Sequence, residues 1–219
     1  MARYQTATVT DLGTASPVAQ IALASLPADE EERVPWPRQG EWTYEDWLRL
    51  PNDGWRYEVI EGVLHMNPAP TTTHQRISRD LELALLLFVR KERRGEIFYA
   101  PTDVYLPDQE TPVQPDLLFI AAERQDIVSE RGIEGAPDLV VEILSPSTRW
   151  QDREVKLPLY EKTGVRECWI VDPEVKTIEV YILRGEQYTL LGRWGPGETV
   201  RSESLAGFEA AVDTVMEMA

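Results

Sequence analysis

Apolar positions along the chain change period several times, and each change marks an element. From Thr73 to about Arg94, Ile77, Leu81, Leu85 and Phe88 recur at helical spacing, and Leu83, Leu86, Leu87 and Val89 widen the stripe. That pattern predicts a well-buried helix, ended by Gly95. Ahead of it, Thr43 followed by Asp46 reads as a capping box opening a short helix. Asn52-Asp53-Gly54 is a turn signal, and Arg56 to Met66 alternates as a strand pair turning near Glu61-Gly62. After the long helix, short β-branched runs predict strands at about 96–106, 114–121 and 138–144. A helical segment at about 149–163 ends at Gly164, and strands at about 167–172 and 176–183 form a hairpin through Asp172-Pro173. Weaker strands at about 186–193 and 199–201 precede a C-terminal segment. This alternation of helices and strands implies an α/β fold with a mixed sheet.

The 219 residues, 42% of them apolar, suffice for one domain with its own core. Residues 1–41 are rich in Pro, Ala, Ser and Thr, carry the acidic run Asp29 to Glu32, and read as a flexible tail; residues 42–219 form the domain. Cys168 is the only cysteine, lies in an apolar run and reads as a buried inert thiol, so there is no disulfide framework. With no signal segment and no membrane-length apolar stretch, a cytoplasmic protein with no membrane contact is expected. The net charge of −16 opposes non-specific attraction to nucleic acid. The cluster Arg90, Lys91, Arg93 and Arg94 reads as a basic patch or, more plainly, as a solvated helix end whose cations complement the dipole.

Glu142 interrupts the apolar run Leu139-Val140-Val141-Glu142-Ile143-Leu144. A carboxylate inside such a strand must be protonated, paired or bound to a metal. Asp116 interrupts apolar sequence in the same way, directly after Pro115. Two acids on adjacent strands, about 4.8 Å apart, can share one hard cation such as magnesium. Asp138 follows a second proline, but it lies four residues from Glu142 on one strand, roughly 13 Å away, too far to share an ion with it. Lys156 offers a cation, and Asp152, Lys156 and Tyr160 share a helical face. Pro158 requires that the helix start near Leu157 or bend there.

Together these motifs carry a resemblance. Tyr57 to Gly62, His74 at the start of the long helix, Gln114-Pro115-Asp116, Pro137 to Thr148, Lys156 to Tyr160 and Glu167 to Pro173 occur in the order seen in the Uma-two family, restriction-endonuclease-like proteins abundant in cyanobacteria. The match covers roughly residues 42–215. The resemblance implies a restriction-endonuclease-like central mixed sheet flanked by helices, with an extra N-terminal hairpin and C-terminal strands. It also implies a metal site of Asp116, Glu142 and the backbone carbonyl of Ile143, holding Mg2+ or Mn2+. Leu144 stands where the superfamily pattern places its lysine, and Lys156 is the position that matches a lysine moved to the following helix. Glu58 and His74 also match recurrent family positions: Glu58 reads either as a further site carboxylate or as a strand residue paired with Arg56 or facing solvent, and His74 more plainly as a local hydrogen-bonding residue than as a ligand or base.

The function that follows is hydrolysis of DNA phosphodiesters by Asp116, Glu142 and Lys156, in an enzyme of a class that often acts as a homodimer. The acidic charge and Leu144 support a rival: a nuclease-like scaffold without catalysis that serves as a protein-interaction or regulatory module.

Overall fold

The computed structural model describes residues 35–216, arranged as two compact units. The first holds residues 35–69 and Gln109–Thr111. Its helix α1 (Tyr44–Leu48) opens with the expected capping box: Thr43 accepts from the Asp46 amide, and the Asp46 carboxylate accepts from Thr43. Strands β1 (Arg56–Ile60) and β2 (Val63–Asn67) pair antiparallel, with Ile60 opposite Val63. Both turn residues have positive φ, Glu61 at 49° and Gly62 at 75°, as a type I′ turn requires. A Cβ at Gly62 would stand 2.5 Å from the Gly40 carbonyl oxygen. Trp42, Val59, Leu64 and Met66 form this unit's core, with Trp36 stacked on Trp42. Ordered contacts therefore begin before residue 42; the acidic run Asp29 to Glu32 lies outside the described residues.

The second unit is built on a six-stranded sheet in the order β10-β9-β8-β7-β4-β3. Its strands are β3 (Gly95–Tyr99), β4 (Leu117–Ala121), β7 (Leu139–Ile143), β8 (Glu167–Asp172), β9 (Thr177–Arg184) and β10 (Gln187–Trp194). The short pairs β5 (Val128–Ser129) with β6 (Gly132–Ile133) and β11 (Thr199–Arg201) with β12 (Glu209–Ala211) lie outside it. Every ladder in the main sheet is antiparallel except β7–β8. A parallel pair needs a long crossover, and residues 149–163 supply it as a helical connection.

On one sheet face, Leu117, Phe119, Val141, Ile143, Trp169 and Val171 pack against Ile77, Leu81, Leu85 and Val89 of the long helix α2 (Thr72–Glu92). The C-terminal helix α5 (Val212–Met216) joins the same core. Strand alternation turns Val140, Glu142, Cys168 and Ile170 to the opposite face. The crossover meets that face through Lys156 and Tyr160 at Glu142.

Three sequence expectations need correction. Leu83 and Leu87 do not widen the buried stripe; they are 54% and 61% exposed, because residues 83 and 87 lie on the far side of α2 from Leu81 and Leu85. Gly95 does not terminate that helix: Arg93, at φ 54°, takes the left-handed cap and Gly95 opens β3. The strand expected at 96–106 stops at Tyr99; residues 100–116 are irregular apart from isolated bridges of Val104 to Val113 and to Ile133.

Candidate active site

Asp116 precedes β4, and Glu142 is the fourth residue of β7. The register pairs Leu117 with Val141, so one further step sets Asp116 opposite Glu142. Directly opposed residues share a face, with Cβ atoms about 4.5–5.5 Å apart. Asp116 is 5% exposed and Glu142 2%. Chain topology thus brings together two acids 26 positions apart, both buried, at one end of the sheet.

Donors from other elements orient each carboxylate. Asp116 Oδ2 lies 2.9 Å from His74 Nε2 and accepts from the Ile143 amide at 2.9 Å. His74 sits in the first turn of α2, where Thr71 caps the helix by accepting from the His74 amide. With Nε2 against Asp116, the Nδ1 edge of the ring points away, buried and without a hydrogen-bond partner. His74 is therefore placed to orient Asp116. Burial opposes charge on Asp116, but the hydrogen bond and charge of His74, the Ile143 amide and the charge of Lys156 outweigh it and draw the carboxyl below its usual value.

Glu142 Oε1 accepts from Tyr160 Oη at 2.5 Å and lies 3.3 Å from Lys156 Nζ. The ammonium also lies 3.5 Å from the Gln114 carbonyl. Lys156 ends a π-helical turn, Asp152–Lys156, between the short helix α3 (Arg149–Gln151) and helix α4 (Leu157–Thr163). The Leu157 amide bonds back to the Asp152 carbonyl, five residues earlier. Pro158 stands in the first turn of α4, where its missing amide is tolerated, so the connection restarts at Leu157. From there the four-residue spacing of Lys156 and Tyr160 brings both to Glu142.

The remaining candidates divide. Glu58, in the first unit, is 2% exposed and accepts from Asn67 Nδ2 at 2.9 Å across the hairpin. Asp138 is held elsewhere, by Arg124 and Arg166 at 2.9 Å each and by the Ala121 amide. Cys168 is buried; burial first, then the charges of Glu142, Asp152 and Glu167, push its thiol well up. Sequence reasoning missed Glu179, 1% exposed on β9 and bound by Arg153 at 2.8 Å and by Arg193. Its signal was the one that revealed Glu142: an acid inside an apolar strand, Ile178-Glu179-Val180.

Two opposed carboxylates suit a hard divalent ion, which takes one or two such ligands and fills its octahedron with water and phosphate oxygens. A carboxylate offers about four acceptor sites, so donors at one oxygen orient it without exhausting it. Among the described residues no group of three or more His, Cys, Asp or Glu side chains gathers as a metal cluster. The side-chain ligands would then be Asp116 and Glu142 alone.

Comparison with known proteins bears on the family and the fold. The family model described as "Uma2: Putative restriction endonuclease" matches residues 44–213, and the chain belongs to that family. The uncharacterised protein sll1609 of Synechocystis sp. is 25% identical over 135 residues, which is 61% of this chain and 76% of that protein. A crystal structure titled as a putative nuclease belonging to DUF820 from Anabaena variabilis superposes with a TM-score of 0.65 at 22% identity, covering 80% of this chain and 98% of the other. That likeness shows a shared fold.

Proposed function

We propose that this Uma2-family chain is a metal-dependent nuclease that hydrolyses DNA phosphodiester bonds. The observation that carries the reading is the meeting of Lys156 with Glu142, one strand from Asp116, although Leu144 fills the strand position where the lysine is usual. Asp116 and Glu142 would hold a magnesium or manganese ion, with the Ile143 carbonyl as a third oxygen. Such an ion polarises a phosphodiester and lowers the pKa of water. His74 and the Ile143 amide hold the Asp116 carboxylate in place. Tyr160 does the same for Glu142. Lys156 would orient the attacking water or offset charge developing on the phosphoryl oxygens. With a net charge of −16, two carboxylates alone would repel phosphate, so binding as well as chemistry would require the cation.

The test is cleavage of plasmid and single-stranded DNA with magnesium, with manganese and with chelator, comparing the native chain with Glu142→Gln and Asp116→Asn. Metal-dependent cleavage lost in both variants is expected. Cleavage that survives either substitution, or no cleavage by the native chain with either metal, refutes the proposal. The second outcome favours a regulatory or protein-binding scaffold, a reading supported by the acidity of the chain and by exposures of 5%, 2% and 3% at Asp116, Glu142 and Lys156.

A further inference from the structure

The crossover between β7 and β8 grips the sheet at two carboxylates. Glu142, Ile170 and Glu179 occupy one row across β7, β8 and β9, and Arg193 of β10 continues it. Lys156 reaches Glu142, and Arg153, three residues earlier, reaches Glu179 at 2.8 Å. Those carboxylates stand two strands apart, roughly 9.6 Å at the usual strand spacing. The π-helical turn that carries both cations is wider than an α-helical one and splays them to match. Arg193 and the Tyr181 hydroxyl complete the surroundings of Glu179. Burial opposes charge on Glu179, but Arg153, then Arg193 and Tyr181, outweigh it and hold its carboxyl below the ordinary value.

A lysine on the strand beside Glu142 would be placed by the sheet itself. Here the position two residues after Glu142 is Leu144, and the ammonium comes from a separate element on a flexible four-carbon stem. Its location therefore depends on how the crossover docks. Tyr160 fixes the C-terminal side of Lys156 against Glu142. The N-terminal side is fixed two strands away.

We propose that the Arg153–Glu179 ion pair is a positioning device for Lys156, setting the register of the π-helical turn on the sheet and hence the stand of the ammonium at Glu142. Its meaning for catalysis rests on the nuclease reading above; its geometric content does not. Both residues would act through Lys156.

The test uses Arg153→Met, Glu179→Gln and Arg153→Lys in the full chain. Lys156 is 3% exposed and Lys162 is exposed, so acetylation by an amine reagent, read by peptide mass spectrometry, reports the Lys156:Lys162 ratio. In Arg153→Met and Glu179→Gln the ratio should rise about tenfold, as labelling follows the locally open population. Hydrogen exchange at the β8 amides of Ile170 and Val171 should stay native. Arg153→Lys should return the ratio to within about threefold of the native chain, since it keeps the charge and loses only the fork. With DNA and magnesium, Arg153→Met should lower kcat about tenfold or more at unchanged KM, the scale expected for a lost supporting partner. An unchanged labelling ratio in a variant with native β8 exchange overturns the proposal. Loss of β8 protection in both Arg153→Met and Glu179→Gln overturns it too, because the pair would then hold the fold and not the lysine. A labelling response in a chain that cleaves nothing refutes the nuclease reading and leaves the clamp standing.

Discussion

Removing the ammonium at position 156 tests the contact on which the site turns. In Lys156→Met the aliphatic stem is largely kept, but Glu142 loses the cation 3.3 Å away and retains the Tyr160 hydroxyl at 2.5 Å. Two unit charges at that separation attract by roughly 5 kcal/mol at an effective dielectric near 20. Desolvation offsets part of this gain, yet breaking a buried pair from one side still costs about 3–5 kcal/mol. Because Tyr160 continues to donate to the carboxylate, the lower end, about 3 kcal/mol, is expected. Glu142→Gln should lose a similar amount, since it strands a buried ammonium. The double variant Glu142→Gln/Lys156→Met carries neither charge and should lose less than the sum, giving a coupling of about 2–3 kcal/mol. Urea unfolding of the four proteins at pH 7, followed by tryptophan fluorescence, measures the cycle; Trp169 is fully buried in the same sheet. Additive single losses below about 0.5 kcal/mol would mean that the ammonium stands in water, and the convergence of lysine and carboxylate would be refuted.

Three further expectations probe other parts of the molecule. Burial opposes charge on Asp172, but Arg149, bonded at 2.7 and 2.9 Å, outweighs it and holds the carboxyl below its ordinary value. A carboxyl more acidic folded than unfolded adds stability that is complete above its unfolded value, near 4, and drains away as pH falls through the lower folded one. Asp172→Asn should therefore cost about 1.5–3 kcal/mol at pH 6, with the gap in urea midpoints closing below about pH 4; a gap constant from pH 6 to pH 2 would contradict this. Cys168, buried and with its thiol pushed well up, should leave a thiol-specific reagent unreacted at pH 8 until denaturant is added, and prompt reaction of the native chain would count against its placement. Leu83→Gln, at a 54% exposed position, should shift stability by no more than about 0.5 kcal/mol, and a loss above about 2 would show that the side chain is buried after all.

Much of the fold could be read from local signals because its elements obey local physics. The hairpin of the first unit follows from alternation and from Glu61-Gly62, whose positive φ angles suit a two-residue turn. The long helix follows from its periodicity, but its exposed face does not. Leu83 and Leu87 are apolar and lie in water, because the rule that apolar residues go inside runs only one way. Residues 100–116 resisted for a different reason. Apart from the bridges of Val104 to Val113 and to Ile133 they form no ladder, and nothing in their period announces that the chain leaves β3 and returns only for β4.

For the site, an acid inside an apolar strand identifies burial and compensation, not chemistry. Glu142 and Glu179 satisfy that signal equally, as do Glu167 and Asp172 at the two ends of β8. Their partners distinguish them. Asp172 and Glu179 are met by arginines, whose forks match a carboxylate and suit lasting structural pairs. Glu167 accepts from Trp169 Nε1 and from the amides of Glu203 and Ser204, tying a later loop to the sheet. Glu142 is met by a lysine and a tyrosine on one oxygen, and Asp116 by a histidine and an amide on one oxygen. Point donors aim a carboxylate without the two-pronged match of an arginine fork. No strand pattern encodes that difference, because each partner comes from another element: α2 for His74, the π-helical turn for Lys156 and α4 for Tyr160. The deciding chemistry is in the docking of helices on the sheet, and substitutions that disturb docking at Arg153 or Glu179 should therefore separate the site's geometry from the fold's stability.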